Sequence, residues 1–315
     1  MKLGIMVTDF SWPVPTEQLG PIVTRIAQRA DEAGLDSLWT MDHFFQIRIS
    51  GLPPESPMPE AYATLAFIAG RTSRIRLGTL VSSVAYRHPA VLLKAVSSLD
   101  ALSSGRMILG VGAGAPWNTL PAGVSPRDVE ISGLGIPFPS LAERFERLEE
   151  LLQIAHQMWR GDEQPYAGKH YQLLRPLNSP NSVQQPHPPI LVGGSGEKKT
   201  LRLVARYGDM CNLFDLPGAG YADDLRHKLD VLQAHCAALG RNYDEIERTT
   251  ATYLDTEDGP NGPRLGRFLD HLARLAELGI DHAIVGPHQP WSEATLDALI
   301  DALPDVRAIP TRQAA

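Results

Sequence analysis

The stretch PPILVGGSGEKKTL, residues 188–201, reads as one strand–turn–helix unit. Ile190, Leu191 and Val192 form a short apolar run. Gly193, Gly194 and Gly196 then make a bend with almost no side chain, and Lys198 and Lys199 fall in the expected first helical turn. Bare backbone at a helix start admits a ligand closely, and its N–H groups together with the helix dipole favour an anion. Working outward, the same alternation recurs in both directions. Strand patterns cover residues 2–7, 35–41, 74–81, 106–114, 189–194, 209–214, 248–254 and 281–287. Helical patterns lie between them, among them 17–33 closed by Gly34, 59–72, 89–102 and one starting near Ser140. Eight strands with intervening helices in 315 residues predict a single (β/α)8 TIM barrel spanning 1–315, with extended loops at the C-terminal face of the strands. A doubly wound open sheet is the competing architecture, but it shows a firmer split into halves.

Composition bounds the function. A hydrophobic content of 43% supplies a sizeable core, and a net charge of −7 without a basic block argues against nucleic-acid binding. No run of about 18 apolar residues suggests a membrane span. The start, MKLGIMVTDF, enters a strand pattern directly, without a signal core. Cys211 and Cys236 are far apart, which speaks against a disulfide framework or zinc site and suits a reducing, cytoplasmic setting.

In a barrel, loops after strands gather at one face, where active sites sit. The longest irregular interval, 115–139, is rich in Gly, Pro and Ser; a second runs over 163–187 and a third over 216–221. Strand two ends in MDHFF, placing Asp42 and His43 at that face. An imidazole exchanges protons near neutral pH, so His43 is the candidate proton donor or acceptor, with Asp42 orienting it or bonding a ligand. Elsewhere an Asp-His pair reads as a cap and a satisfied polar residue. GGSG does not meet the Rossmann spacing and on its own also suits an ordinary βα turn. The glycines of GVGAG suit tight packing. His88 reads as a cap neighbour, and His235 and Cys236 as packing residues. Along 143–159 the leucines, His156 and Trp159 pack while the acids and arginines form a solvated face. No HExxH or GxSxG occurs, so hydrolase and metal chemistry lack support.

Jointly, AGLDSLWTMDHF, TSRIRLGTLVSSVAYRHPAVL, LDALSSGRMILGVGAG, GIPFPSLAERFERLEELL and PPILVGGSGEKKTLRLVARYGD resemble the bacterial luciferase-like family of flavin and deazaflavin oxidoreductases, most closely its F420-dependent branch. The resemblance covers essentially the whole chain. It implies a (β/α)8 barrel, a homodimer, and coenzyme F420 held at the barrel mouth with its phosphodiester tail on the turn after strand five. The positions it implies for cofactor binding are Asp42, Thr79, Leu80, Val81, Ala113, Gly114, Asn118, Gly194, Ser195, Gly196 and Lys198, with Lys199 a helper. Leu80 and Val81 match the place of a non-prolyl cis peptide, and His43 the proton relay. The sequence departs from the family after GAG, where Ala115, Pro116 and Trp117 replace an acidic residue, and at Ile47, where an aromatic is expected. That argues against a sugar phosphate and for a larger or more apolar substrate; Glu130 is the candidate replacement carboxylate. The implied reaction is hydride transfer between F420 and a small organic substrate. The alternatives are an FMN-dependent monooxygenase with a separate flavin reductase, and a non-catalytic flavin-binding protein.

Overall fold

The computed structural model describes residues 1–47, 51–114, 129–215, 221–254 and 263–312. The first half contains β1 (Lys2–Val7), α1 (Leu19–Ala33), β2 (Ser37–Thr40), α2 (Ala61–Ala69), β3 (Arg76–Thr79), β4 (Ser82–Ser83), α3 (Pro89–Leu102) and β5 (Met107–Gly112). After α4 (Glu130–Gly133) and α5 (Leu141–Trp159) comes a small antiparallel hairpin, β6 (Tyr166–Ala167) and β7 (Gln172–Leu173). The chain continues with β8 (Ile190–Gly193), α6 (Thr200–Tyr207), β9 (Met210–Phe214), α7 (Tyr221–Leu239), β10 (Glu247–Leu254) and α8 (Pro263–Leu278). It closes with β11 (His282–Pro287), α9 (Glu293–Asp301) and α10 (Leu303–Ala308).

Parallel pairing runs β1–β2–β3–β5–β8–β9–β10–β11 and returns from β11 to β1, which closes an eight-stranded barrel. The expected (β/α)8 architecture is therefore observed. Strand three is shorter than the expected 74–81. It ends at Thr79, the Leu80–Val81 peptide is cis, and Ser82–Ser83 resumes beside β5. The helix after residue 140 starts as anticipated, with Ser140 accepting from the Glu143 N–H as its cap. No helix among the described residues is long and apolar enough to cross a membrane.

Strand alternation divides the apolar residues between two cores. Outward-facing Leu3, Ile5 and Val7 of β1 join the large cluster under the helices. Inward-facing Met6, Trp39, Ile108, Leu191, Met210 and Ile284 fill the barrel. Fully burying each such side chain contributes about 1.5–3 kcal/mol, so the barrel centre is a packed plug and the site must lie above it.

Below the plug is a buried polar layer. His282 Nδ1 lies 2.7 Å from Glu247 and its Nε2 lies 2.9 Å from Ser37 Oγ, which also accepts from Trp39 Nε1 at 2.7 Å. Lys2 Nζ (2.6 Å) and Arg76 (3.5 Å) complete the charge around Glu247. Burial opposes the charged carboxylate, but the His282 hydrogen bond and the charges of His282, Arg76 and Lys2 outweigh it and hold the carboxyl well below the usual carboxylate range. A depressed folded-state pKa stabilises above the unfolded value, and that stability is lost as pH falls. Unfolding followed by urea should therefore show stability dropping as pH falls below the ordinary carboxylate value of 4.5. Glu247→Gln should be less stable at neutral pH and show a shallower acid dependence.

Candidate functional site

At the barrel mouth His43 stands just past β2 with its side chain 18% exposed, its Nδ1 2.6 Å from Glu130 Oε1. Glu130 opens α4, beyond the loop, and its side chain is only 2% exposed. The backbone N–H groups of Phe44 (2.6 Å) and Phe45 (3.4 Å) donate to its other oxygen, and the Tyr86 hydroxyl donates to Oε1. Burial raises the Glu130 pKa, but the hydrogen bond and charge of His43, helped by Tyr86 and Phe44, outweigh it and lower it. Glu130 is thus an ionised acceptor. A neutral His43 that donates Nδ1–H to it carries its lone pair on Nε2, the form suited to taking up a proton.

Asp42 does not orient His43. Its carboxylate pairs with Arg87, which reaches on to Glu60 and lies over the rings of Tyr62 (4.9 Å) and Phe44 (5.7 Å). Both residues lie past the end of β2, and there the two neighbours take different partners, Arg87 for Asp42 and Glu130 for His43. Asp42 Oδ1 is buried and finds no hydrogen-bond partner among the described residues. Such an orphaned acceptor is costly unless a ligand donates to it.

The floor of the mouth is apolar. Leu80 and Val81 rest on the barrel plug, and a Cβ at Gly112 or Gly193 would come within 2.9 Å of a Val81 methyl. A Cβ at Gly110 would lie 1.8 Å from the Thr79 carbonyl oxygen. The glycines of GVGAG are therefore packing requirements, as expected. Thr79 Oγ1 donates to the Gly110 carbonyl at 3.0 Å and lies 3.0 Å from Ser82 Oγ, while the Tyr62 hydroxyl lies 2.8 Å from Ser82. Ala113 and Gly114 are held by Arg144 of α5, whose Nη1 donates to their carbonyls at 2.8 and 2.7 Å and whose guanidinium lies 4.0 Å from the Phe138 ring centre.

Arg144 and Glu150 correct the expectation of a solvated polar face on this helix, for both are buried. Glu150 accepts from the backbone N–H groups of Lys169 (2.8 Å) and Tyr171 (3.0 Å), fixing the hairpin. The signal was present in the spacing: position 144 falls on the same helical stripe as Leu148, Leu151 and Ala155.

At the GGSG turn, Gly194 adopts φ +114°, and its N–H donates to the Asn212 carbonyl at 3.1 Å. What the turn can offer an anion therefore comes from Ser195 and Gly196. Residues 197–199 form a separate turn, tied by the Leu201 N–H to the Gly196 carbonyl at 3.0 Å, and α6 begins only at Thr200. Lys198 and Lys199 thus precede the helix rather than sit in its first turn. Lys198 is exposed at the rim, and Lys199 Nζ lies 5.2 Å from the Phe145 ring centre. Glu197 is drawn away to Lys228, and its carbonyl lies 2.9 Å from His235 Nε2, so His235 is a packing residue as anticipated. Asn118 and the 115–117 segment lie outside the described residues.

A model of the luciferase-like monooxygenase family matches residues 1–258. The chain belongs to that family. An F420-dependent glucose-6-phosphate dehydrogenase from Amycolatopsis mediterranei is 30% identical to it over 294 residues, covering 91% of this chain and 79% of that protein. Two solved structures of the same fold differ in chemistry. An F420-dependent secondary alcohol dehydrogenase in complex with an F420-acetone adduct aligns with TM-score 0.77 at 17% identity, covering 97% of this chain and 99% of that one. A monooxygenase from Streptomyces bottropensis aligns with TM-score 0.75 at 19% identity, covering 98% of this chain and 100% of that one. At such identities the luciferase-like likeness establishes the barrel, and the chemistry has to be argued from the site.

Proposed function

We propose that this protein is an F420-dependent oxidoreductase that transfers hydride between the deazaflavin and a small organic substrate, with His43 relaying the accompanying proton. The observation that carries the reading is the His43–Glu130 pair past the end of β2, the strand paired with β3, which runs into the apolar Leu80–Val81 floor. Relatives of this length and identity that are F420-dependent dehydrogenases support it.

The residues present fit such a cofactor. Leu80 and Val81 offer an apolar back to a planar ring, and the glycines beneath Val81 keep that surface low. The orphaned Asp42 Oδ1 offers a buried acceptor, and Ala113 and Gly114 a backbone edge braced by Arg144. Ser195, Gly196 and Lys198 offer hydroxyl, amide and charge to a phosphodiester. When bound, F420 supplies a two-electron hydride carrier. The chain supplies the proton chemistry: Glu130 fixes the tautomer of His43, and Nε2 gives or takes the substrate's proton.

The reading carries with it a homodimer and a separate enzyme that recycles the cofactor. The exposed Val91, Leu174 and Leu177, along a groove between α3 and the segment after β7, support a second copy. Both cysteines are buried and free, which supports a reducing, cytoplasmic setting. The test is anaerobic turnover. Hydride exchange between F420 and an organic substrate without oxygen, in either direction, is the expected result. Product formation that needs oxygen and reduced FMN would overturn it in favour of a monooxygenase.

A further inference from the structure

The barrel mouth is chemically lopsided. On one side β5 and β8 end in Gly112 and Gly193, with no side chain to raise a wall. On the other side, strand parity aims large rings at the opening. In β10, Thr249 bonds Asn212 across the interior and Ala251 packs on the barrel plug, so Tyr253, two residues on, leaves the same face at the mouth. In β9, Met210 belongs to the plug, Asn212 meets Thr249, and Phe214 follows on that face. In β11, Ile284 belongs to the plug and a Cβ on Gly286 would strike Met6, so the same face continues to His288 just beyond the strand.

Among the described residues, two of these rings are largely exposed and two stack on each other. Phe214 is 58% and Tyr253 49% exposed, and the Tyr253 and His288 rings stack at 4.6 Å with 10° between their planes. Large exposed aromatics on the ligand face of a barrel point to recognition of a ring. Among the described residues that directly follow these strands, 214–215, 253–254 and 287–290, none is lysine or arginine, the side chains that bind a phosphate dianion best. Asp215, next to Phe214, is buried and paired with His271 Nε2 at 2.7 Å.

We propose that Phe214, Tyr253 and His288 form the substrate wall of this site and that the substrate carries a planar aromatic ring rather than a sugar phosphate. The proposal deepens the F420 reading and rests on it for the position of the chemistry. Ring-on-ring contact favours an aromatic over its saturated counterpart, because the quadrupoles of two π systems attract in offset or edge-on arrangements.

Calorimetric titration of the F420-loaded protein with 2-naphthol, decahydro-2-naphthol and glucose 6-phosphate tests it. The expected result is that 2-naphthol binds best, about tenfold or more over its saturated counterpart. Tyr253→Leu and Phe214→Leu should each weaken it about 3–10-fold, while Tyr253→Phe retains it. Melting temperature and F420 affinity should stay at wild-type values in all three variants. Equal binding of the two bicyclic alcohols, indifference to both leucine variants, or a preference for glucose 6-phosphate would overturn the proposal. Loss of F420 binding in the wild type would overturn the cofactor reading instead. The same ligands titrated against the F420-free protein then judge the aromatic wall by the same criteria.

Discussion

His43→Ala is expected to lower turnover about 10²–10⁴-fold, the usual contribution of a positioned acid or base, while F420 affinity stays near the wild-type value. The expectation follows from how the ring is held. Nδ1 is committed to Glu130 at 2.6 Å, and Glu130 is itself locked by Phe44, Phe45 and Tyr86, so Nε2 is presented in one orientation and one tautomer. Removing the imidazole leaves the Leu80–Val81 floor and the GGSG turn intact, which is why binding should survive. Glu130→Gln should cause a smaller loss, because an amide oxygen still accepts from Nδ1–H but no longer offers a full charge to the protonated ring. Steady-state kinetics together with a fluorescence titration separate the two effects. Unchanged turnover in His43→Ala would remove the proton-relay assignment.

Asp281→Ala is expected to cost about 3–5 kcal/mol of folding stability, the typical effect of breaking a buried ion pair from one side. Arg248 is wholly buried at the start of β10, with Nε and Nη2 2.7 and 2.9 Å from the Asp281 carboxylate, and its own backbone N–H donates there at 3.0 Å. Its guanidinium also lies 4.8 Å from the Tyr243 ring centre. Burial disfavours the charged guanidinium, but the hydrogen bonds and charge of Asp281 more than offset this and raise the Arg248 pKa. Without Asp281 that buried charge keeps only the exposed Asp244 carboxylate, 3.6 Å from Nη1. Urea unfolding measures the loss. Replacing both residues together, Arg248→Met with Asp281→Leu, should cost less than Asp281→Ala alone, since no unpaired charge remains. A double variant as unstable as the single one would place the stabilisation elsewhere.

Much of this architecture was legible because barrel strands carry local signals. Alternation and flanking turns place all eight, and strand ends identify the mouth. His43 and the GGSG turn stand out for the same reason, since a strand C-terminus in this fold faces the site whatever follows it. Partnerships were less legible. Asp42 looked like the companion of His43 by adjacency, yet its carboxylate pairs with Arg87, 45 residues away. The true companion, Glu130, is 87 residues from His43, beyond a long loop, and only the packing of α4 brings it in. Arg144 was hidden by its charge, although its helical phase marked it as buried. The two lysines were placed one turn too late in structure because nothing in EKKT distinguishes a helix start from the preceding turn. The aromatic wall escaped notice for a different reason. Phe214 and Tyr253 lie on two strands and His288 just past a third, and only closing the sheet puts them on one side of the opening.

Fluorescence titration of the purified protein with oxidised F420 and, separately, FMN tests most directly whether the barrel mouth takes a deazaflavin. Micromolar or tighter binding of F420, weakened by Ser195→Asp and with little affinity for FMN, is the predicted result. Preferential binding of FMN, or binding of neither, would contradict the account.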